Sequence, residues 1–251
     1  MKPTLPLRVR EVELARLLVW LQKGLADLIR CPLPGLAHGL ACTVFGAVLL
    51  GWAHDDFWLL AGTFTGFLFV APIVATGLYA VSSELEQGRS PGMADILRLW
   101  RAHDPRLVHF GVLLAFAGTG WVVTSASFVT SFADQPIHRP IEFLRYVALH
   151  DTGWVFEVWL VLGALLAAPM FASTVVAIPV LLDRKVSVLR AIVTSWSAVL
   201  ASPATMAAWA AIIMGLTLVG MLTALLGLIV VVPWLAHASW HAYRDIVLPD
   251  D

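Results

Sequence analysis

Four stretches of this chain, 57–83, 107–133, 158–182 and 191–243, contain no Asp, Glu, Lys or Arg. Each matches or exceeds the about 20 residues that a helix needs to cross a bilayer. In hydrocarbon every backbone N–H and C=O must be paired within the segment, which leaves helices and closed barrels. Long apolar runs without period-two alternation select helices. The predicted fold class is therefore an all-α polytopic membrane protein. A 59% apolar, 13% charged composition with mean hydropathy +0.84 excludes a disordered chain, a secreted disulfide scaffold and a nucleic-acid binder. The two cysteines, Cys31 and Cys42, form no CxxC pair, and both are read as structural.

Six spans are predicted, at about 36–53, 57–81, 107–131, 155–182, 204–222 and 223–243. The last two divide the longest uncharged window, with a turn near Gly220, Thr223 and Gly227. Residues 1–35 form a cytoplasmic segment, 36–245 the transmembrane domain and 246–251 a cytoplasmic tail. Of the 16 Lys and Arg residues, only Arg139 and Arg145 fall in the third loop. Positive charge marks the cytoplasmic side, so both termini are expected there and 132–154 on the opposite face of a bacterial inner membrane.

The first segment does not read as a signal peptide. Leu14, Leu17, Leu18, Leu21, Leu25 and Leu28 recur at helical spacing, with Arg16, Lys23, Asp27 and Arg30 off that stripe. This is the pattern of an amphipathic helix lying in the membrane interface, ended by Pro32, Pro34 and Gly35. Beyond Arg139, Pro140 is expected to open a short surface helix with Ile141, Leu144, Val147 and Ala148 toward the membrane.

The pair Ala71-Pro72 recurs as Ala168-Pro169. Each copy then reaches acidic residues (Glu84 and Glu86; Asp183), an amphipathic stretch with Trp100 or Trp196, and a proline, Pro105 or Pro203, that opens the next span. The reading is two parallel helix–amphipathic segment–helix repeats. Some transporters are built from parallel repeats, and so are bundles that arose by duplication of a hairpin.

The run from Ala71-Pro72-Ile73-Val74-Ala75 through Tyr79, followed by Glu86-Gln87-Gly88-Arg89, carries a resemblance. So do Pro179-Val180-Leu181-Leu182-Asp183-Arg184 and the closing Pro233-Trp234-Leu235-Ala236-His237 to Asp245. Over roughly residues 10 to 247 the chain resembles a bacterial family of integral membrane proteins of unknown function. Some members are labelled as a cytochrome c oxidase subunit. The resemblance implies a six-helix inner-membrane protein near respiratory complexes; a haem-copper catalytic subunit needs more spans and histidine ligands than this chain supplies.

Among individual residues, Gly62 and Gly66 form a GxxxG motif that suits close helix packing, within the bundle or between copies. Pro72 and Pro169 kink their spans, for packing or to line a polar cavity. Trp154, Glu157, Trp234 and Trp240 are read as interfacial anchors. His237 and His241, four residues apart, share a helix face, and Asp245 is placed to accept the second ring N–H of His241. His38 and His109 open spans 1 and 3 at a similar depth. These four histidines are the candidate ligands for a haem or a transition metal, or else amphipathic anchors in an aromatic belt.

No Walker, HExxH, GxSxG or Rossmann pattern occurs, and no carboxylate pair lies deep in a span, so no catalytic residue is named. The expected function is that of a non-enzymatic accessory or scaffold subunit, contacting the bilayer and a membrane-protein partner or second copy, without a cofactor. A small-solute or lipid carrier and a haem- or metal-binding protein stand as alternatives.

Overall fold

The structure, a computed structural model, describes residues 5–53, 55–63, 75–89, 91, 104–149 and 154–249. Its helices are α1 (Arg16–Arg30), α2 (Pro32–Trp52), α3 (Thr76–Glu86), α4 (Pro105–Phe132), α5 (Pro140–Phe143, continued by a π turn over Leu144–Ala148) and α6 (Trp154–Thr174). They are followed by α7 (Ala177–Asp183), α8 (Val188–Ala201), α9 (Pro203–Leu222) and α10 (Leu228–Ile246). Local chemistry sets several starts. Asp104 accepts the Arg106 N–H at 2.8 Å just before Pro105, Ser187 accepts that of Arg190, and α9 opens on Pro203.

Among the described residues, four segments are long and apolar enough to cross a membrane: Pro32–Trp52, Pro105–Phe132, Trp154–Asp183 and Pro203–Leu222. The predicted second span is helical over 57–63 and again in α3; 64–74, including Gly66 and Pro72, lie outside the described residues. The predicted sixth, 223–243, overlaps α10, which is not one of these four segments. The first half of that helix is apolar, whereas its second half carries His237, His241, Arg244 and Asp245. The turn before it runs through 223–227, where Thr223 donates to the Gly220 carbonyl and accepts the Gly227 N–H. There Ala224 and Leu225 take left-handed φ values of 53° and 68°.

The chain divides into two compact units. The first comprises Met1–Val44, Pro72–Phe110 and Phe171–Asp251. In it α1 lies along α10, and the two backbones meet at Gly24, where an added Cβ would stand 2.5 Å from the Ala238 nitrogen. The predicted leucine stripe of α1 divides. Leu17 and Leu28 join Trp20, Gly24 and Asp27 on a buried face, while Leu14, Leu18, Leu25 and Ile29 form a separate exposed one. Asp27 is thus an inward residue, not one of the polar flank. The extended segment before α1 is pinned by Leu7 N–H to Thr194 Oγ1 (2.9 Å), Val12 N–H to Ser202 Oγ (2.8 Å) and Thr205 Oγ1 to the Val12 carbonyl (2.8 Å). An antiparallel bridge joins Val9 to Val247.

The second unit comprises Phe45–Ala71 and Gly111–Met170. Its core is Val129, Ile137 and Val147, ringed by Phe57, Trp58, Phe143 and Trp159 among others. Pro140 does open a helix there, with Glu142 accepting the N–H groups of His138 (2.8 Å) and Arg139 (3.0 Å). Ile141 and Leu144 are exposed as expected, but Val147 is 1% exposed. The π turn places it on the core side, against Val129 and Ile137.

Candidate functional site

Among the described residues, a dense polar cluster lies on the buried second half of α10, in the first unit. His237, His241 and Asp245 follow one another at i, i+4 and i+8, and neighbouring helices meet that face with their own polar groups. From α1, Asp27 Oδ2 accepts from His241 Nε2 at 2.7 Å. From α3, Glu86 Oε1 stands 3.5 Å from His241 Nδ1. One imidazole therefore ties three helices together.

Ser82, one turn before Glu86 on α3, lies 2.8 Å from His237 Nδ1. The other ring nitrogen of His237, Nε2, is buried and has no hydrogen-bond partner. His38 on α2 lies within electrostatic reach of His237 and gives its Nδ1–H to the Pro34 carbonyl at 2.8 Å.

Around this centre the acids are matched to bases. Arg244 reaches Glu86 Oε2 at 3.2 Å and Asp183 Oδ2 at 3.7 Å. Asp183, at the end of α7, also takes a hydrogen bond from the Tyr243 hydroxyl and pairs with Arg184 at 3.0 Å. Asp245 is held by Arg10, by Arg16 Nε at 2.6 Å and by the Trp20 indole N–H at 2.8 Å. Burial by itself would raise the Asp27 pKa, but the hydrogen bond from His241 acts against it, and the carboxyl is held below its usual value. Glu86 is lowered in the same way: desolvation opposes, while His241 and Arg244 prevail. A cleft of about 360 Å³ opens beside the cluster, lined by Arg16, Trp20, Lys23, Glu86, His241, Arg244 and Asp245.

The histidine expectations resolve unequally. His38 and His237 are both buried in the first unit, His241 faces two carboxylates, and His109 stands on an exposed face of α4. Among the described residues, no group of three or more His, Cys, Asp or Glu side chains gathers into a metal site. Asp245 is not the partner of His241: three donors from the N-terminal segment and α1 claim it, and Asp27 takes the ring instead.

Trp240 is buried within the first unit. It is 1% exposed, edge-on to Tyr243 at 5.3 Å between centroids. Trp234 is half-buried and donates to the Leu21 carbonyl at 2.8 Å, a packing contact with α1. Trp154, edge-on to Phe132, and Glu157 are exposed in the second unit, and Pro169 is exposed within α6. At Gly62 an added Cβ would meet only Val122, at an ordinary 3.5 Å. The close approaches are instead at Gly24 and at Gly39, whose Cβ would fall 2.2 Å from the Ile229 carbonyl oxygen.

A family model described as predicted integral membrane protein (DUF2189) matches residues 59–183. Over those residues, just under half of its length, the chain is similar to that family. That region is of the kind the sequence resembles, an integral membrane protein of unknown function. Ser82, Glu86 and Asp183 lie inside it, whereas Asp27, His237 and His241 belong to helices on either side. No curated protein and no solved structure matches the chain.

Proposed function

We infer that this protein is a non-enzymatic accessory or scaffold subunit that packs beside a larger complex, a respiratory one being the foremost candidate, in a bacterial inner membrane. The observation that carries this reading is the pairing within the α10 cluster. Asp27, Glu86, Asp183 and Asp245 each engage a basic side chain of the same unit, so the charged groups serve to clamp helices together. Outward-facing groups on the long helices are mostly apolar: Phe116 is 74% exposed and Leu222 77%. Such surfaces suit lipid and partner helices.

In this reading the chain crosses the membrane six times, with 57–81 and α10 supplying the second and sixth crossings, and binds no cofactor. The parallel repeat gains support from Arg244. Glu86 and Asp183 have the same sequence separation as Pro72 and Pro169, and both carboxylates reach that one guanidinium. Native electrophoresis in mild detergent, with mass identification of co-migrating chains from cells expressing the protein natively, tests the role. The expected result is co-migration with other membrane proteins or a second copy. A monomer running alone overturns it.

A carrier reading is favoured by one feature of the second unit, an apolar cleft of about 420 Å³ between α4 and α6. Ala117, Gly120, Trp121, Thr124 and Leu165 help to line it, which suits an acyl chain better than a polar solute.

A further inference from the structure

The helix α8 is built the wrong way round for a water-facing surface. Its buried face consists of Ala191, Thr194, Ser195 and Ala198, small or hydroxyl-bearing side chains throughout. Thr194 Oγ1 accepts the Leu7 N–H at 2.9 Å and donates to the Arg190 carbonyl at 2.8 Å. Ser195 Oγ accepts the Val176 N–H at 3.1 Å. The large apolar groups point outward: Leu189 is 55% exposed, Trp196 38% and Leu200 70%. Spacings of seven and four residues put these three on one side of the helix. The Trp196 indole N–H is given to Ser173 Oγ at 2.9 Å, so the ring asks nothing further of water. Arg190, the one charged residue of α8, donates to the Leu5 carbonyl at 3.0 Å. A helix at a water surface turns its leucines inward and its polar residues out. α8 does the reverse, as a surface against hydrocarbon does.

The neighbouring elements fix where that hydrocarbon is. With 14 residues α8 is about 21 Å long, too short for a bilayer core of about 30 Å. α9, at 20 residues, has the length to cross by itself, and it opens directly after Ser202. The segment before α8, Trp154–Asp183, is also long enough to cross, and it closes on the charged run Asp183, Arg184 and Lys185. α8 therefore begins and ends at the same surface of the bilayer, between one crossing and the next. The exterior of α9 that follows is apolar too, with Ala204, Ala207, Ala211 and Met214 exposed. We propose that α8 lies flat in one leaflet, with Leu189, Trp196 and Leu200 among the upper parts of the phospholipid acyl chains. The partner of this surface is lipid hydrocarbon. The proposal rests on α9 as a crossing and not on the accessory reading, which concerns protein partners.

Spin labels on the full chain in vesicles of phosphatidylethanolamine and phosphatidylglycerol test it. Leu189→Cys, Trp196→Cys and Leu200→Cys are each labelled in a Cys31→Ser, Cys42→Ala background. Collisions with oxygen, which partitions into hydrocarbon, are compared with those with a water-soluble nickel chelate. All three labels are expected below the phosphate level, at depths within one helical turn, about 5 Å, of one another. A helix descending into the bilayer separates Leu189 from Leu200 by about 16 Å instead, and that gradient overturns the proposal. So does dominant access by the nickel chelate, which means water. An immobilised label shielded from both reagents means a partner chain or a second copy, and overturns it as well. Trp196→Phe reads the same surface with both native cysteines in place. The fluorescence it removes from the wild type should be quenched by phospholipids brominated near the top of the acyl chain. Trp196 emission that these lipids leave untouched overturns the flat placement.

Discussion

Asp27 and His241 are 214 positions apart in the chain, each with 7% of its side chain exposed, and their contact holds the first helix to the last described one. Removing one partner strands the other in a desolvated site, which typically costs about 3–5 kcal/mol. Asp27→Ala is therefore expected to lower stability by that order in a denaturant titration in detergent. Combined with His241→Ala, the total should fall well short of the sum of the single losses. Strictly additive losses would mean that the pair is not coupled.

The same carboxylate gives a pH dependence of definite sign. Its folded-state pKa lies below the ordinary value of 3.8, so its stabilisation is whole above that value and fades as the pH falls through the depressed one. Thermal midpoints should drop on acidification below about pH 4, and Asp27→Asn should flatten that limb. His237 and His241 were legible in the sequence as one helix face, because spacing alone reveals it. Their partners were not: periodicity says which residues look the same way, and says nothing of which helix looks back.

At the level of elements, the long helices and the turn at 223–227 were readable from hydropathy and from Gly and Thr placement. The inner face of α1 was not, since two apolar faces on one helix merge into a single leucine pattern. Trp20, Gly24, Asp27 and Leu28 recur at three-, four- and seven-residue spacings, and that second stripe was the available signal. Gly24 shows why the stripe is packed. An added Cβ would lie 2.5 Å from the Ala238 nitrogen and 2.8 Å from its Cβ, both on a helix that cannot give way locally. Gly24→Val should separate α1 from α10 and cost at least about 1–3 kcal/mol, whereas Gly62→Ala, meeting one side-chain carbon at 3.5 Å, should be near neutral. Equal losses from the two substitutions would refute this assignment of the close contact.

For the whole molecule, the bridge between Val9 and Val247, with hydrogen bonds from Arg10 N to Ile246 O at 3.0 Å and from Leu248 N to Arg8 O at 2.9 Å, ties the two terminal segments to each other. Reporter fusions after Ala133 and after Asp251 should report opposite compartments, the second cytoplasmic; cytoplasmic activity from the Ala133 fusion would contradict the threading. That bridge also has a bearing on synthesis. The ribosome releases α1 long before α10, and until α10 arrives Asp27, Gly24 and the strand at Val9 have no seat. A nascent chain halted ahead of α10 thus displays a naked carboxylate and an unpaired strand where a finished one shows a closed seam. In a pulse–chase experiment a chain stopped after Gly227 should be degraded faster than the full-length protein, because the last helix to be made is the one that signs the first helix off to the proteases as finished.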